Sequence, residues 1–322
     1  MTPAGKLRVA VAVAIVVALA SCPVWGGPGA RSILILFAYN AALAQMWNLL
    51  AGYAGLVTFG QQLFVGLGGY TLAVGCERFG LGVWPAFALA AVVCGAVAVP
   101  VGALTFRLKG GYFAVGSWVV AEVFRLAFGN SAYVGNASGM FIRKARSVEP
   151  WMVYYVAIGL LIGMVALVVG TLRTRPGLAL MAIRDAEDAA AGLGVNVWRV
   201  KLLAFVVAAA GTGLVAALIA VHTPFIQPDA EFSIKWSAEA SFMAVVGGLG
   251  TVEGPILGTA IYVLLEHLFP GEIHLIVLGA VSVIVMLVAP GGIAGLLRDR
   301  LGWTLFPIEH RAPARQVRTP DI

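Results

Sequence analysis

The sequence predicts an all-α, polytopic membrane protein, and three properties support this fold class. Hydrophobic residues make up 61% of the 322 residues, charged residues only 11%, and the mean hydropathy is +0.95. A soluble domain carries about 25% charged residues, so this chain has too few charges to cover a water-facing surface. The apolar residues also fall into long runs, which suit helices that cross a bilayer.

The first three predicted spans cover residues 9–20, 33–50 and 50–74. The first follows Lys6 and Arg8 and ends in the sequence LASC at residues 19–22, which resembles a bacterial lipoprotein cleavage site. We favour an uncleaved first helix over a cleaved, lipidated N-terminus, because a whole polytopic body follows. Six glycines in the third span allow helix backbones to approach closely, so this helix is predicted to lie in the protein interior.

Further spans are predicted at residues 84–106, 112–128, 151–172, 202–221 and 273–289. Residues 238–267 could form one long helix, but the sequence GGLGTVEGP at 247–255 breaks it. The piece before the break is too short for a span of about 20 residues. A half-length helix is tolerated only where protein or water satisfies its backbone, so we expect it in the interior.

Basic residues accumulate on the cytoplasmic side of membranes, and they predict cytoplasmic N- and C-termini. Lys6 and Arg8 lie near the start, and five arginines follow residue 297. Termini on one side require an even number of crossings, so the broken segment is expected to cross twice and the total is about ten. This topology puts 14 of the 21 basic residues inside, 6 outside and one, Arg125, within a span. Residues 1–297 then form one transmembrane domain, and residues 298–322 form a basic, partly disordered cytoplasmic tail.

A charged loop at residues 173–201 interrupts the apolar pattern with five basic and three acidic residues. Connections between neighbouring helices are as a rule much shorter, so we interpret the charged loop as a docking platform for a cytoplasmic protein. Its acidic residues, alanines and glycines follow in the order that starts, extends and ends a helix, which predicts a short helix along the membrane surface. The alternative is a solvated amphipathic helix with no partner.

Motifs for enzymatic chemistry are absent from the sequence. It contains no phosphate-binding loop GxxxxGK[ST], no nucleophile elbow and no HExxH, so neither nucleotide hydrolysis nor another enzymatic activity is expected of this chain. Its three cysteines and four histidines lack the spacing of metal ligands. No metal, cofactor or nucleic acid is therefore expected.

Few polar groups lie in the predicted spans. Glu122 and Arg125 are three residues apart on one helix face, and an unpaired charge in the membrane is costly, so the two are expected to pair. Two roles are open for the pair, lining a pathway or clamping the outer end of the helix. Gly250, Gly254 and Gly258 recur at every fourth residue, which predicts a small-residue face for a gate or subunit contact, or for ordinary packing.

Five blocks of the chain resemble blocks of the bacterial branched-chain amino-acid ABC permease family, in the same order: residues 48–74, 108–118, 184–205, 245–266 and 287–297. The long charged loop and the sequence YFA at 112–114 are similar to the M-type subunit rather than to its H-type partner. Two short stretches depart from the family. The sequence TFGQ at 58–61 replaces Ser-x-Gly-His, and residues 134–139 replace Thr-Gly-Gly-x-x-Gly, which leaves the cargo open.

The resemblance implies a type II-like importer permease in the bacterial inner membrane, surrounded by lipid. Its expected partners are an H-type permease, two ATPases that bind ATP and Mg²⁺, and a periplasmic substrate-binding protein. The expected cargo is a branched-chain or related amino acid, with urea, short amides or aromatic or carboxylic acids as alternatives. A different class, an ion-coupled secondary carrier, would need ion or proton sites in the membrane, for which Glu122, Glu239 and Glu266 are the candidates.

The resemblance and the polar pattern also suggest which residues act. The ATPase-docking helix would comprise Arg184, Asp185, Glu187, Asp188, Ala190, Gly192 and Gly194. The candidates for the translocation pathway are Gln61, Gln62, Tyr70, Tyr112, Phe113, Ser117, Glu122, Arg125 and Glu239. The candidates for helix packing or a gate are Gly247, Gly248, Gly250, Gly254 and Gly258.

Overall fold

The computed structural model describes residues 27–269, 271, 273–289 and 291–301. The first half of this part contains helices α1 (Pro28–Asn48), α2 (Gln61–Glu77), α3 (Val83–Thr105), α4 (Gly111–Gly129) and α5 (Pro150–Leu172). The second half contains α6 (Arg175–Asp185), α7 (Glu187–Gly192), α8 (Val197–His222), α9 (Pro228–Glu231), α10 (Lys235–Gly248), α11 (Glu253–Leu268), α12 (Ile273–Val288) and α13 (Gly292–Leu301).

Short elements fill the connections. A π-helical turn at Leu49–Tyr53 prolongs α1, and 3₁₀ turns lie at Ala132–Val134, Asn136–Ser138 and Arg143–Ser147. Strands β1 (Met140–Phe141) and β2 (Phe225–Ile226) form a two-residue antiparallel ladder in which Met140 faces Ile226. The ladder is too small to change the all-α class.

The described helices confirm an all-α membrane protein. Six of them are long and apolar enough to cross a bilayer, and the bent pair α10–α11 makes seven if it counts as one span. These six are α1 with its π turn, α3, α4, α5, α8 and the segment Ile273–Arg298. The predicted first span at 9–20 and residues 302–322 of the predicted tail lie outside the described residues.

The third predicted span, residues 50–74, is wrong at its start. Residues 49–53 belong to the π turn that prolongs α1, and the chain then runs irregularly until α2 begins at Gln61. Gly55 ends the turn with a φ of +68°, in the left-handed region that favours glycine. The buried position of α2 is confirmed, since a Cβ atom at Gly66 would overlap the ring of Phe232.

Helices α1, α2 and α8 form the centre of the bundle, where the large side chains Leu43, Met46, Tyr70, Leu72 and Leu218 are fully buried. Helices α4 and α12 lie at the periphery and expose most of their residues. Because α8 has 26 residues, it is about 39 Å long and separates two ends of the bundle. We call the end that carries α6 and α7 the loop end, and the end that carries β1, β2 and α9 the far end.

The predicted break in residues 238–267 is confirmed. Helix α10 ends at Gly248, α11 begins at Glu253, and the two axes are bent by 116°. The expected face of three glycines is wrong for Gly250, which lies in the connecting turn with a φ of +75° rather than on a helix. Close packing between α10 and α11 explains the other glycines, because a Cβ atom at Gly247 would overlap the carbonyl oxygen of Gly254.

Candidate functional site

The charged loop folds into two helices at the loop end. The prediction of one short helix from Arg184 to Gly194 is wrong, because Ala186 has an extended backbone (φ −157°, ψ 90°) that separates α6 from α7. Arg184 and Asp185 therefore end α6, whereas Glu187 begins α7. The predicted glycine stop is confirmed at the other end, where Gly194 has a φ of +87°.

The candidate docking residues divide between the bundle and the surface. Asp185, Asp188, Gly192 and Gly194 are exposed, and Ala190 is buried. Glu187 accepts a hydrogen bond from Lys201 Nζ at 2.7 Å, which holds α7 against α8. The sequence did not single out Leu193, although it is 86% exposed between two candidate glycines. Leu193 is thus a large apolar side chain that reaches the protein surface outside the apolar spans.

Arg184 is partly exposed, but its guanidinium reaches the end of α1. Its Nη1 atom donates a hydrogen bond to the carbonyl oxygen of Gly52 at 2.9 Å, and its Nε atom donates to Asp185. A Cβ atom at Gly55 would lie 3.3 Å from the Cα atom of Arg184, and one at Gly250 would lie 3.3 Å from its Nη1 atom. The guanidinium thus joins the charged loop to the π turn of α1 and to the turn between α10 and α11.

Two amide side chains of α1 hold the turn between α10 and α11. Asn48 Nδ2 donates to the carbonyl oxygen of Thr251 at 2.8 Å, and Asn48 Oδ1 accepts from the backbone N–H of Gly250 at 2.9 Å. Gln45 Nε2 donates to the carbonyl oxygen of Val252 at 2.6 Å. A broken helix leaves backbone groups that water cannot reach inside a membrane protein, and these amides satisfy several of them.

Several candidate pathway residues form a buried hydrogen-bond network around the start of α2. Thr58 Oγ1 donates to Ser117 Oγ at 2.9 Å, and Gln61 Nε2 donates to the carbonyl oxygen of Leu43 at 3.0 Å. Ser237 Oγ donates to Gln62 Oε1. These contacts join α1, α2, α4 and α10, so Gln61, Gln62 and Ser117 hold these helices together, and their predicted place on a pathway stays a prediction.

The remaining pathway candidates lie apart from that network. Tyr70 packs against the rings of Phe128 and Phe232, whereas Tyr112 is 80% exposed. The ring of Phe113 is buried next to Phe106, with ring centroids 6.0 Å apart. The structure therefore does not bring the candidates together into one site.

The predicted pair of Glu122 and Arg125 is confirmed. Arg125 Nη2 lies 2.6 Å from Glu122 Oε1, and a second carboxylate, Asp229 of α9, also pairs with Arg125. The sequence did not indicate Asp229, because it lies 104 positions away in the chain. The three charges link α4 to α9 at the far end. Glu239 also lies toward the far end, where it lines a cleft.

Among the described residues, no group of three or more His, Cys, Asp or Glu side chains could hold a metal ion. The helix contacts at the loop end are the best-connected part of the candidate site. They run from the charged loop through Arg184 to the π turn and on to the break between α10 and α11.

The chain is similar to known transport proteins. The family model described as "Branched-chain amino acid transport system / permease component" matches residues 29–289. The high-affinity branched-chain amino acid transport system permease protein LivM of Salmonella typhimurium is 28% identical over 286 residues, 79% of this chain and 67% of the relative. LivM of Escherichia coli is 27% identical over 321 residues, 90% of this chain and 75% of the relative.

The permease protein LivH of Salmonella typhimurium is 31% identical over 172 residues, 52% of this chain and 53% of the relative. Similarity to LivM thus covers most of the chain and similarity to LivH about half, which confirms the predicted M-type resemblance. No solved structure matches the chain.

Proposed function

Because the chain belongs to the family of branched-chain amino acid transport system permease components, we propose that it imports branched-chain or related amino acids as the M-type permease subunit of an ABC transporter. The family match over residues 29–289 carries this proposal. The cargo follows from the names of the relatives, since LivM and LivH are permease proteins for branched-chain amino acids.

The proposed assembly pairs this chain with an H-type permease, two ATPases and a periplasmic binding protein in the bacterial inner membrane. The similarity to both LivM and LivH supports a pair of related permeases. The lack of a phosphate-binding loop supports separate subunits that bind and hydrolyse ATP with Mg²⁺. The exposed Leu193 and the acidic residues beside it offer those ATPases a contact surface.

In the proposed topology the chain crosses the membrane ten times, and both termini are cytoplasmic. Helix α12 runs from the far end to the loop end. There, a Cβ atom added at Gly248 would lie 2.9 Å from the Cβ atom of Ala294 in α13. This contact supports a C-terminal segment on the same side as the charged loop. The bend of 116° between α10 and α11 turns the chain back. We therefore count the pair as two crossings, and the total number of crossings stays even.

The charged loop would transmit the conformational change of the ATPases to the membrane helices. We suggest that closure of the ATPases displaces α6 and α7, and that Arg184 passes this displacement to the carbonyl oxygen of Gly52 and to the turn at Gly250. Rigid helices that shift against each other are a common way to switch a transporter between two states. The tight glycine contact of Gly247 with Gly254 would then be the packing that opens or holds the gate.

The pathway itself would run near the far-end charges and the exposed face of α4. Tyr112, Glu122 and Arg125 on α4 are at least partly exposed at the protein surface, and Glu239 on α10 lines the cleft. The buried members, Gln61, Gln62 and Ser117, would act by holding the helices that form it.

The experiment that tests this function is purification of the chain from native membranes followed by transport in proteoliposomes. We expect an ABC ATPase and a second permease to copurify, and we expect uptake of L-leucine to require both ATP and the binding protein. Uptake of urea or aromatic acids in place of leucine would show that the chain carries one of the alternative cargoes of the same family. A lone homo-oligomer that transports under an ion gradient would contradict the proposal.

A further inference from the structure

A cleft of about 480 Å³ opens toward the far end, between α1, residues 227–239 and the facing ends of α11 and α12. Pockets for small ligands have volumes of about 300–1,000 Å³, so the cleft can hold a molecule the size of an amino acid. Its walls combine charged and aromatic side chains, among them Tyr39, Lys235, Glu239, Tyr262, Glu266 and His274.

The imidazole of His274 points to the kind of ligand that the cleft would hold. The residue is 91% buried, since its exposed fraction is 9%, and its Nδ1 atom contacts the carbonyl oxygen of Gly271. A carbonyl oxygen can only accept, so Nδ1 carries a proton, and in a neutral imidazole Nε2 is then an acceptor. Among the described residues, Nε2 has no hydrogen-bond partner although it is buried.

A second acceptor faces this nitrogen. Glu239 Oε1 lies 3.9 Å from His274 Nε2, which is too far for a direct hydrogen bond. Glu266 and the ring of Tyr262 line the same cleft. Two carboxylates and an imidazole nitrogen therefore line one part of the cleft, where an ammonium group can form charge-assisted hydrogen bonds to the carboxylates.

The other charges of the cleft differ in their availability. Asp229 is paired with Arg125, which Glu122 also contacts, so the charge of Asp229 is partly balanced. Lys235 lies one helical turn before Glu239 on α10 and is exposed, and no salt bridge to it is found in the described part of the chain. The cleft thus presents negative charge in its depth and one positive charge at its mouth.

We propose that this cleft binds a primary ammonium group joined to an anion, with the ammonium between Glu239, Glu266 and His274 and the anion toward Lys235. Two molecules at a bacterial membrane have this chemistry, a free amino acid and the head group of phosphatidylethanolamine. Where the ligand is an amino acid, the inference rests on the proposed function and adds a weak cargo site at the far end.

The test uses the full transporter complex in vesicles of phosphatidylcholine and phosphatidylglycerol, with the substitution Ser233→Cys in the lining of the cleft. The parent chain without this substitution gives the background reaction. Because the cleft presents negative charge in its depth, a cationic thiol reagent should modify Cys at this position about tenfold faster than an anionic one. This ratio corresponds to about 1.4 kcal/mol. L-Leucine and 3-methylbutylamine should slow the modification, and 4-methylpentanoate, which lacks the ammonium group, should not.

The two sources of the ligand give different results in this assay. Protection by added leucine in these vesicles assigns the cleft to the cargo. Slow modification that appears only when phosphatidylethanolamine replaces phosphatidylcholine assigns it to the lipid. Equal rates for both reagents, with no protection by any amine or by phosphatidylethanolamine, would overturn the proposal.

Matched variants distinguish binding of the amine in the cleft from a general effect of the protein's charge on protection. Glu239→Gln and Glu266→Gln should each raise the concentration of amine needed for half protection by about tenfold, since each removes a charge-assisted contact. Glu149→Gln changes an exposed carboxylate outside the cleft and should leave protection unchanged. Glu266 is only half-buried, so its variant keeps the test usable if Glu239→Gln fails to assemble.

The assay needs neither ATP nor uptake, so its failure is distinct from failure of the proposed function. Leucine uptake with no protection by any added amine or by phosphatidylethanolamine would contradict the cleft site alone. Amine protection without ATP-dependent uptake would contradict the transport function alone.

Discussion

Arg184 Nη1 donates a hydrogen bond to the carbonyl oxygen of Gly52 across 132 positions of the chain, at 2.9 Å. The helix α1 ends in a π turn at this point, and carbonyl groups at a helix end lack partners within the helix. The guanidinium fills that place and also approaches Gly250. A movement of α6 therefore reaches two interior elements through one side chain.

Replacing Arg184 with glutamine should uncouple ATP hydrolysis from uptake. A hydrogen bond to a charged group contributes about 1.5–3 kcal/mol, so its loss should lower leucine uptake about tenfold while the ATPases still copurify. Arg175→Gln is a matched control, because Arg175 is exposed at the start of the same helix. Uptake and ATPase activity are measured together in proteoliposomes. Equal uptake in both variants would remove Arg184 from the coupling path.

Leu193 offers a separate test of the docking surface. Leu193→Asp places a charge where an 86% exposed apolar side chain lies, so a partner that buries this residue would have to bury an unpaired carboxylate. We expect the amount of copurified ATPase to fall while the permease remains in the membrane at its normal level. Leu193→Met keeps the apolar character and should retain the ATPase. Full recovery of ATPase with the aspartate variant would contradict docking at this turn.

Local patterns in the sequence predicted the elements that depend on local chemistry. The apolar runs indicated α3, α5 and α8, the glycines indicated the break after Gly248, and spacing indicated the pair of Glu122 and Arg125. Spacing in the sequence predicts only contacts between side chains three or four residues apart on the same helix.

Contacts between distant parts of the chain could not be predicted in this way. Asn48 meets Thr251 across 203 positions, and Asp229 joins Arg125 across 104. The charged loop shows the same limit. Its composition indicated a surface helix, but the direction in which Arg184 points depends on where the end of α1 lies in the folded bundle.

Gly247→Ala should destabilise the protein, because the new methyl group would overlap the carbonyl oxygen of Gly254. Forcing an extra methyl group into a packed interior typically costs about 1–3 kcal/mol, and here the obstacle is backbone that cannot rotate away. The matched control is Gly159→Ala in α5, where no atom lies within 4 Å of the added Cβ atom. Thermal unfolding of the purified complex measures the difference. Similar unfolding temperatures would show that α10 and α11 can move apart at no cost.

The charges at the far end allow the two roles left open for Glu122 and Arg125 to be separated. Arg125 contacts Glu122 on its own helix and Asp229 on α9, so of these three charges Arg125 is the one that joins the two elements. All three side chains are partly exposed, and such pairs contribute about 1 kcal/mol or less.

If the pair is a clamp, Arg125→Met should modestly lower the thermal stability of the protein. Glu122→Gln should lower it less, because a glutamine oxygen still accepts a hydrogen bond from Arg125. As a pathway lining, Glu122→Gln should lower uptake while stability and protein level stay normal. We expect the first pattern, since the link to Asp229 reaches a separate element of the fold. If Glu122→Gln leaves uptake unchanged and Arg125→Met leaves stability unchanged, neither role holds.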